Sequence, residues 1–184
     1  MGQSKALLDV AGRPWLQVQI EAIRAQSSGP IHVVLAPASL AELDLCAGLP
    51  GVQVVVNPAP ERGPFSRLQA GLAGLSGPAF AGPLDCPVAP VLAALLLGMT
   101  AEDRAVIPTH HGRGGHPVLL GADLVARLLA LDASHPEARL DQQLRLTGAR
   151  RLEVANPRVT LNLNDAESWE GYRLSLASHH PGAE

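Results

Sequence analysis

Aromatic residues are scarce in this sequence, making up 3% of its 184 residues. The apolar residues, 47% of the chain, are mostly Leu, Ala and Val, so the sequence predicts an aliphatic core. Cysteine is rarer still. Cys46 and Cys86 are the only two, which excludes a disulfide framework and favours a reducing compartment. We therefore expect one cytoplasmic domain, which suits a chain of this length.

The chain also lacks an excess of positive charge and a long apolar run. Its formal net charge of −3 leaves no general basic face for nucleic acid. The longest apolar stretch, residues 88–99, has the length of a core helix and is too short to span a bilayer. Lys5 and Asp9 interrupt the first apolar stretch, which argues against a secretory signal. We expect neither nucleic acid nor a membrane as a partner.

Short β-rich runs alternate with longer helical patterns, which is typical of a mostly parallel sheet with helices on both faces. Strands are predicted at residues 31–36, 52–56, 105–107 and 118–120, with a weaker apolar run from Ala79. Helices are predicted at residues 14–25, 40–47, 66–75, 90–99, 122–131, 136–146 and 166–176. The prediction is a three-layer α/β/α, Rossmann-like domain over residues 1–176. The polar tail, residues 177–184, is expected to be disordered.

Two loops could bind phosphate groups. Gly2 and Lys5 lie in an opening loop where glycine allows close backbone approach and the ammonium supplies charge. An ordinary loop with a solvated lysine would look the same. Asn57 precedes a second loop, in which Gly63 permits a tight turn and Ser66 suits a helix N-cap with free N–H groups behind it. The alternative is that these residues only connect a strand to the helix that follows it.

Acidic and amide side chains suggest a metal site. Asp85 follows the weak apolar run, and a carboxylate beyond a strand suits Mg²⁺ that bridges to phosphates. It could instead cap the helix after Pro87. Asn162 and Asn164 would face one side of a strand and could complete a metal or nucleotide site, whereas Asp165 suits the N-cap of the last helix. Cys86 has no basic neighbour in sequence, which favours a packed thiol.

Three histidines occur in one glycine-rich loop, residues 110–117. Their spacing is that of a loop rather than a helix face, and the loop contains neither Cys nor a carboxylate, so a zinc site is disfavoured. Arg113, Gly115 and His116 in such a loop suit an anionic substrate instead.

Taken in order, five segments resemble the MobA-like NTP transferase family, which includes the molybdopterin guanylyl- and cytidylyltransferases. They are Met1-Gly2 with Lys5 and Gly12-Arg13-Pro14, then Gly63 to Leu72, Leu84-Asp85-Cys86-Pro87, Gly115-His116-Pro117 and Asn162-Leu163-Asn164. The resemblance implies a fold of the nucleotide-diphospho-sugar transferase type. It also implies transfer of an NMP from an NTP, GTP or CTP, to molybdopterin or a related phosphorylated acceptor, with release of pyrophosphate.

The resemblance assigns roles to individual residues. It makes Lys5 and Asp85 catalytic. It assigns the nucleotide to Gly2, Lys5, Asn57, Gly63 and Ser66, the acceptor to Arg113, Gly115 and His116, and Mg²⁺ to Asp85, Asn164 and Asn162. It further implies contact with a molybdoenzyme or its chaperone.

Three departures from the family pattern are visible. The family's opening strand, glycine loop and arginine are missing before Met1, and we expect the upstream reading frame to encode them. Gly82-Pro83 dilutes the strand before Asp85, and Asp165-Ala166 replaces a Thr-Pro. Two alternatives therefore stay open. One is a degenerate nucleotide-binding or accessory module, and the other is a sugar-phosphate nucleotidyltransferase, which Gly115-His116-Pro117 disfavours.

Overall fold

A computed structural model describes residues 4–37 and 39–177, so the predictions for Gly2 and for the tail from residue 178 lie outside the described residues. The helices are α1 (Trp15–Arg24), α2 (Leu40–Cys46), α3 (Pro64–Leu72), α4 (Leu92–Gly98), α5 (Ala122–Ala130), α6 (Leu140–Leu146) and α7 (Ala166–Ala177). Every predicted helix is present, although α6 begins four residues later than predicted. Among these helices none is long and apolar enough to cross a membrane.

The described strands form three separate sheets. They are β1 (Asp9–Val10), β2 (Arg13–Pro14), β3 (Ile31–Leu35), β4 (Val52–Val56), β5 (Ala79–Ala81), β6 (Ala105–His110), β7 (Arg113–Gly114), β8 (Val118–Leu120) and β9 (Arg150–Glu153). The β1–β2 pair is antiparallel and the β3–β4 pair is parallel. In the five-stranded sheet, β8 lies between β5 and β6 and is antiparallel to both. Strand β6 also pairs with β9, in parallel, and with β7, antiparallel.

Alternating burial in the five-stranded sheet produces the three layers. Val106 and Leu119 pack with Leu95 of α4 on one face. Their sequence neighbours Ala105 and Leu120 pack on the other face, against buried residues of α3, α5 and α6. Successive side chains of a strand point to opposite faces, so each strand contributes to both layers of the core. The mixed α/β architecture with helices on both faces is therefore confirmed.

The β3–β4 pair is less buried than its sequence suggests. Both strands are rich in β-branched residues, which favours burial on two faces, yet most of their side chains are only partly buried and Val56 is 52% exposed. Within residues 4–37 and 39–177, no ladder joins this pair to the five-stranded sheet. One edge of β3 consequently has no described strand beside it, and its side chains are covered only in part.

The few aromatic residues are concentrated where α7 meets α1. Trp15, the first residue of α1, is fully buried, and its ring lies edge-on to Trp169 at 5.0 Å and to Tyr172 at 5.5 Å between centroids. Such edge-to-face pairs contribute about 0.5–1.5 kcal/mol each beyond the area that they bury. The cluster therefore fixes the C-terminal helix against the N-terminal one.

The start of α7 confirms the capping role considered for Asp165. Its Oδ1 accepts a hydrogen bond from the Ser168 N–H at 2.7 Å, and its own N–H points to Ser168 Oγ at 3.4 Å. This reciprocal arrangement satisfies donors that the first helical turn would otherwise leave free. The bond from Ser168 also lowers the pKa of the Asp165 carboxyl. Asp165 thus takes over the capping function at the position where the family pattern has Thr-Pro.

Candidate active site

Three of the predicted site residues converge on one point. The ammonium of Lys5 donates hydrogen bonds to Asp85 Oδ2 at 3.2 Å and to Asn164 Oδ1 at 2.6 Å. These partners lie 80 and 159 positions further along the chain. All three side chains are accessible to solvent, with the Lys5 and Asp85 side chains 31% and 22% exposed. A cation is therefore held by a carboxylate and an amide oxygen at the surface of the domain.

Backbone contacts on both sides of Asp85 position its carboxylate. Strand β5 ends at Ala81, so Gly82 and Pro83 belong to the loop beyond it rather than to the strand. The Leu84 carbonyl accepts a hydrogen bond from the Trp15 indole Nε1 at 2.7 Å. The Asp85 carbonyl accepts another from the Leu163 N–H at 2.8 Å. The loop is thereby tied to α1 and to the segment that carries Asn164.

Lys5 is positioned by a short helix. Residues Lys5–Leu7 form one 3₁₀ turn, in which the Ala6 side chain is 2% exposed and packs with Leu16 and Ile20 of α1. Burial of Ala6 fixes the turn, and the long side chain of its neighbour then extends to the Asp85 loop. The ordered turn replaces the solvated loop that was the alternative interpretation of Lys5.

The oxygen atoms around the Lys5 ammonium also fit a magnesium ion. Asp85 Oδ2 and Asn164 Oδ1 are hard donors that already face a common positive charge. The described part of the chain contains no group of three or more His, Cys, Asp or Glu side chains that could enclose a metal. Magnesium commonly takes one or two protein oxygens and completes its shell with phosphates and water, so two ligands suffice. Asn162 is exposed and shows no hydrogen bond to a described residue; its metal role stays a prediction.

Cys86 is a packed thiol, as the sequence indicated. It is 6% exposed, and its Sγ lies 4.0 Å from Asp85 Oδ1. Burial, reinforced by the adjacent carboxylate, raises its pKa to about 12, although the Lys5 charge acts in the opposite direction. A thiol with this pKa is protonated at neutral pH and is a poor nucleophile.

His116 lies close to the same carboxylate. Burial lowers the pKa of its imidazole, and the negative charge of Asp85 opposes that shift. The ring is therefore neutral at neutral pH. Its Nδ1 is buried without a hydrogen-bond partner among the described residues. A buried polar nitrogen without a partner is rare in native structures, so this atom is a candidate to bond a ligand that reaches it.

Gly115 determines the position of His116. The His116 N–H donates to the Val159 carbonyl at 2.8 Å, and the Gly115 N–H donates to the Pro108 carbonyl at 2.8 Å. A Cβ added at Gly115 would collide with the Val159 carbonyl. Glycine is thus required here by close backbone approach, which brings the segment against Pro157–Thr160.

Arg113 lies on the exposed strand β7, and no contact of the described residues joins it to Asp85. The tip of this hairpin is anchored by Glu153, whose carboxylate accepts from the Thr109 hydroxyl at 2.7 Å and the His111 N–H at 2.6 Å. These bonds lower the pKa of Glu153. The hairpin is therefore fixed at its tip, while the exposed Arg113 side chain makes no hydrogen bond to a described residue.

The second predicted phosphate loop is held by its own side chains. Asn57 and Ser66 are 1% and 6% exposed, and Asn57 Nδ2 donates to Ser66 Oγ at 3.0 Å. Ser66 Oγ also lies 2.8 Å from the Ala59 carbonyl and 2.9 Å from the Gly63 carbonyl. The prediction of Ser66 as N-cap was wrong, because α3 begins at Pro64 with Gly63 (φ 79°) as its cap. The roles of Asn57, Gly63 and Ser66 in nucleotide binding stay predictions.

Sequence reasoning missed Trp15, whose indole connects the site to the aromatic cluster. The only available signal was a tryptophan at the start of a helix in a sequence with few aromatic residues. Its partner is the backbone carbonyl of Leu84, 69 positions away, and a contact with a backbone atom cannot be predicted from residue types.

Residues 1–150 match the sequence profile of the MobA-like NTP transferase domain. No curated protein has significant sequence similarity to the chain.

Several solved structures share the fold. A nucleotidyl transferase from Methanothermobacter has a TM-score of 0.76 at 18% identity, over 96% of this chain and 86% of that one. Rv0371c of Mycobacterium tuberculosis H37Rv, in complex with manganese, has a TM-score of 0.67 at 21% identity, over 96% and 93%. Molybdopterin-guanine dinucleotide biosynthesis protein A of Archaeoglobus fulgidus has a TM-score of 0.63 at 18% identity, over 97% and 93%.

Proposed function

The chain belongs to the MobA-like NTP transferase family, and on that premise we propose that it transfers an NMP from an NTP to a phosphorylated acceptor and releases pyrophosphate. The observation that carries the proposal is the convergence of Lys5, Asp85 and Asn164 on one solvent-accessible point. A stable fold does not require a lysine, a carboxylate and an amide to meet at its surface. Phosphoryl chemistry does require such charges beside the phosphates.

In this proposal Lys5 and Asp85 serve to neutralise the negative charge of the phosphates, Lys5 directly and Asp85 through a bound metal ion. The Lys5 ammonium turns from Asp85 to the triphosphate and neutralises part of its charge. Asp85 Oδ2 and Asn164 Oδ1 would hold Mg²⁺, and a bound ion would neutralise developing negative charge on the phosphate oxygens. An oxygen of the acceptor forms a bond to the α-phosphorus while the bond to pyrophosphate breaks. The protein contributes mostly by positioning the two reactants.

For the acceptor we propose molybdopterin or a related phosphate, bound by His116, Gly115 and Arg113. The His116 imidazole supports this arrangement, because its Nδ1 has no hydrogen-bond partner among the described residues and its pKa is influenced by the charge of Asp85. The fold, which the chain shares with a molybdopterin-guanine dinucleotide biosynthesis protein, is compatible with this class of acceptor. GTP and CTP are the two nucleotides that we propose for testing, in a cytoplasmic setting. Contact with a molybdoenzyme or its chaperone is part of the same proposal.

A panel of nucleotides tests this function. GTP, CTP, ATP and UTP would each be added with Mg²⁺, and the unfolding temperature would be measured. We expect one nucleotide to stabilise the protein, since a ligand at 100 times its Kd adds about 2.7 kcal/mol. That nucleotide should then release pyrophosphate when molybdopterin is supplied. Stabilisation without pyrophosphate release from any phosphorylated acceptor would instead favour the degenerate nucleotide-binding module, and release with sugar phosphates alone would favour the sugar-phosphate enzyme.

His116→Ala is expected to raise the apparent KM for the acceptor about tenfold or more while nucleotide affinity changes little. The lost contact is a hydrogen bond to a charged or polar ligand group, which contributes on the order of 1.5–3 kcal/mol. Initial rates at varied acceptor, with nucleotide saturating, give this KM. His135→Ala is a matched control, since His135 is exposed and distant in sequence from the hairpin. A fall in nucleotide affinity with acceptor binding preserved would contradict the assignment.

A further inference from the structure

A buried indole supports the Asp85 loop from behind. Trp15 is fully buried, and its Nε1 donates to the Leu84 carbonyl at 2.7 Å, one residue before Asp85. The indole N–H is its only polar group and can only donate. The Leu84 carbonyl is thus bonded to a ring that is fully enclosed by the core.

The ring itself is fixed by the C-terminal helix. Trp169 and Tyr172 of α7 lie edge-on to it, and Leu163, buried beside them, belongs to the same cluster. Leu163 also donates its N–H to the Asp85 carbonyl, and Asn164 follows it directly. The carbonyls of Leu84 and Asp85 therefore both accept hydrogen bonds from residues of this cluster, Trp15 and Leu163. The cluster also fixes the segment in which Asn164 follows Leu163.

We propose that Trp15 is a positioning residue that holds Asp85 within reach of Asn164 through its indole hydrogen bond to Leu84. The proposal rests on the proposed function, because it assigns to the loop the task of presenting a metal ligand. Without the N–H donor, the Leu84 carbonyl loses its partner and the loop can rotate. The Asp85 and Asn164 oxygens then no longer face one point, although the core stays packed.

A pair of conservative variants separates positioning from packing. Trp15→Phe keeps an aromatic ring but removes the indole N–H. Trp169→Phe makes the same change in the same cluster, and the Trp169 indole makes no hydrogen bond to a described residue. Both variants leave a similar gap in the aromatic cluster, and Trp15→Phe is expected to lower the unfolding temperature further because it also loses the bond to Leu84. Only Trp15→Phe releases the Leu84 carbonyl.

The first readout is amide hydrogen exchange, which requires no activity. In Trp15→Phe we expect the Leu163 and Cys86 amides, which bond within and across the loop, to exchange about tenfold faster than in Trp169→Phe. The second readout is the Mg²⁺ concentration for half-maximal turnover, which should rise about tenfold in Trp15→Phe alone. A loss of packing would affect both variants equally.

The outcomes distinguish the two proposals. Faster exchange confined to Trp15→Phe, together with a raised Mg²⁺ requirement, supports the positioning role. Faster exchange in a protein that turns over no nucleotide would contradict the proposed function and leave the support of the loop by Trp15 standing. Equal exchange in the two variants would overturn the positioning proposal whatever the activity.

Discussion

Asp85→Asn is expected to lower the rate of pyrophosphate release by about 100-fold or more while the protein stays folded. The substitution keeps the shape of the side chain but removes the negative charge that we propose binds Mg²⁺. Loss of one electrostatic group at a reacting centre typically costs about 10²–10³ in kcat. The Lys5–Asp85 pair is partly exposed, and such pairs contribute little to stability. The unfolding temperature is therefore expected to change by only a few degrees.

Asp103→Asn is a matched control for this experiment. Asp103 also pairs with a cation, Arg150 at 3.3 Å, and its carboxylate accepts from the Thr100 N–H at 2.8 Å. No described contact joins it to the site, so its loss is expected to leave turnover within about twofold of wild type. Turnover by Asp85→Asn close to the wild-type rate at saturating Mg²⁺ would remove Asp85 from the mechanism.

The elements that the sequence predicted best are those in which local pattern and tertiary burial agree. Residues 118–120 are continuously apolar and form the fully buried strand β8. Strand β9 was missed because three of its four residues, Arg150, Arg151 and Glu153, are charged. Strand β9 pairs with β6 through backbone hydrogen bonds, and these form whether or not the side chains are apolar. Long-range pairing of this kind cannot be inferred from local composition.

The start of α3 shows how one local rule can override another. Ser66 has the chemistry of an N-cap, but Pro64 is suited to the first helical turn and Gly63 adopts the positive φ before it. The helix therefore begins two residues earlier, and Ser66 is buried inside its first turn. Its hydroxyl then satisfies carbonyls of the preceding loop instead of helical N–H groups.

The site was predicted as a set of residues, but its geometry was not. Resemblance to the family brought Lys5, Asp85 and Asn164 together as candidates, and the structure places them in direct contact. The pairing of the ammonium with both metal-ligand candidates depends on how α7 packs against α1, over 150 positions apart in the chain. In the proposed function this pairing gives Lys5 a second role, because its ammonium lies where we propose that a divalent cation binds.

Lys5→Met tests that second role through two effects of opposite sign. Turnover is expected to fall about 100-fold or more, since a positive charge beside the phosphates is lost. The affinity for Mn²⁺ without nucleotide is expected to rise about tenfold, because Asp85 Oδ2 and Asn164 Oδ1 no longer hold an ammonium that repels and excludes the metal. The Mn²⁺ affinity can be measured by titration of its electron paramagnetic resonance signal.

Arg13→Met is the matched control, because it removes a cation from an exposed ion pair with Glu21 that makes no contact with the site. Both Mn²⁺ affinity and turnover are expected to stay near wild type in that variant. If Lys5 only bound phosphate, Lys5→Met would lower turnover and leave the Mn²⁺ affinity without nucleotide unchanged. A rise in Mn²⁺ affinity in Lys5→Met alone would show instead that the Lys5 charge disfavours a metal ion at these two oxygens. In that case the nucleotide, by drawing the ammonium towards its phosphates, prepares the site for the metal.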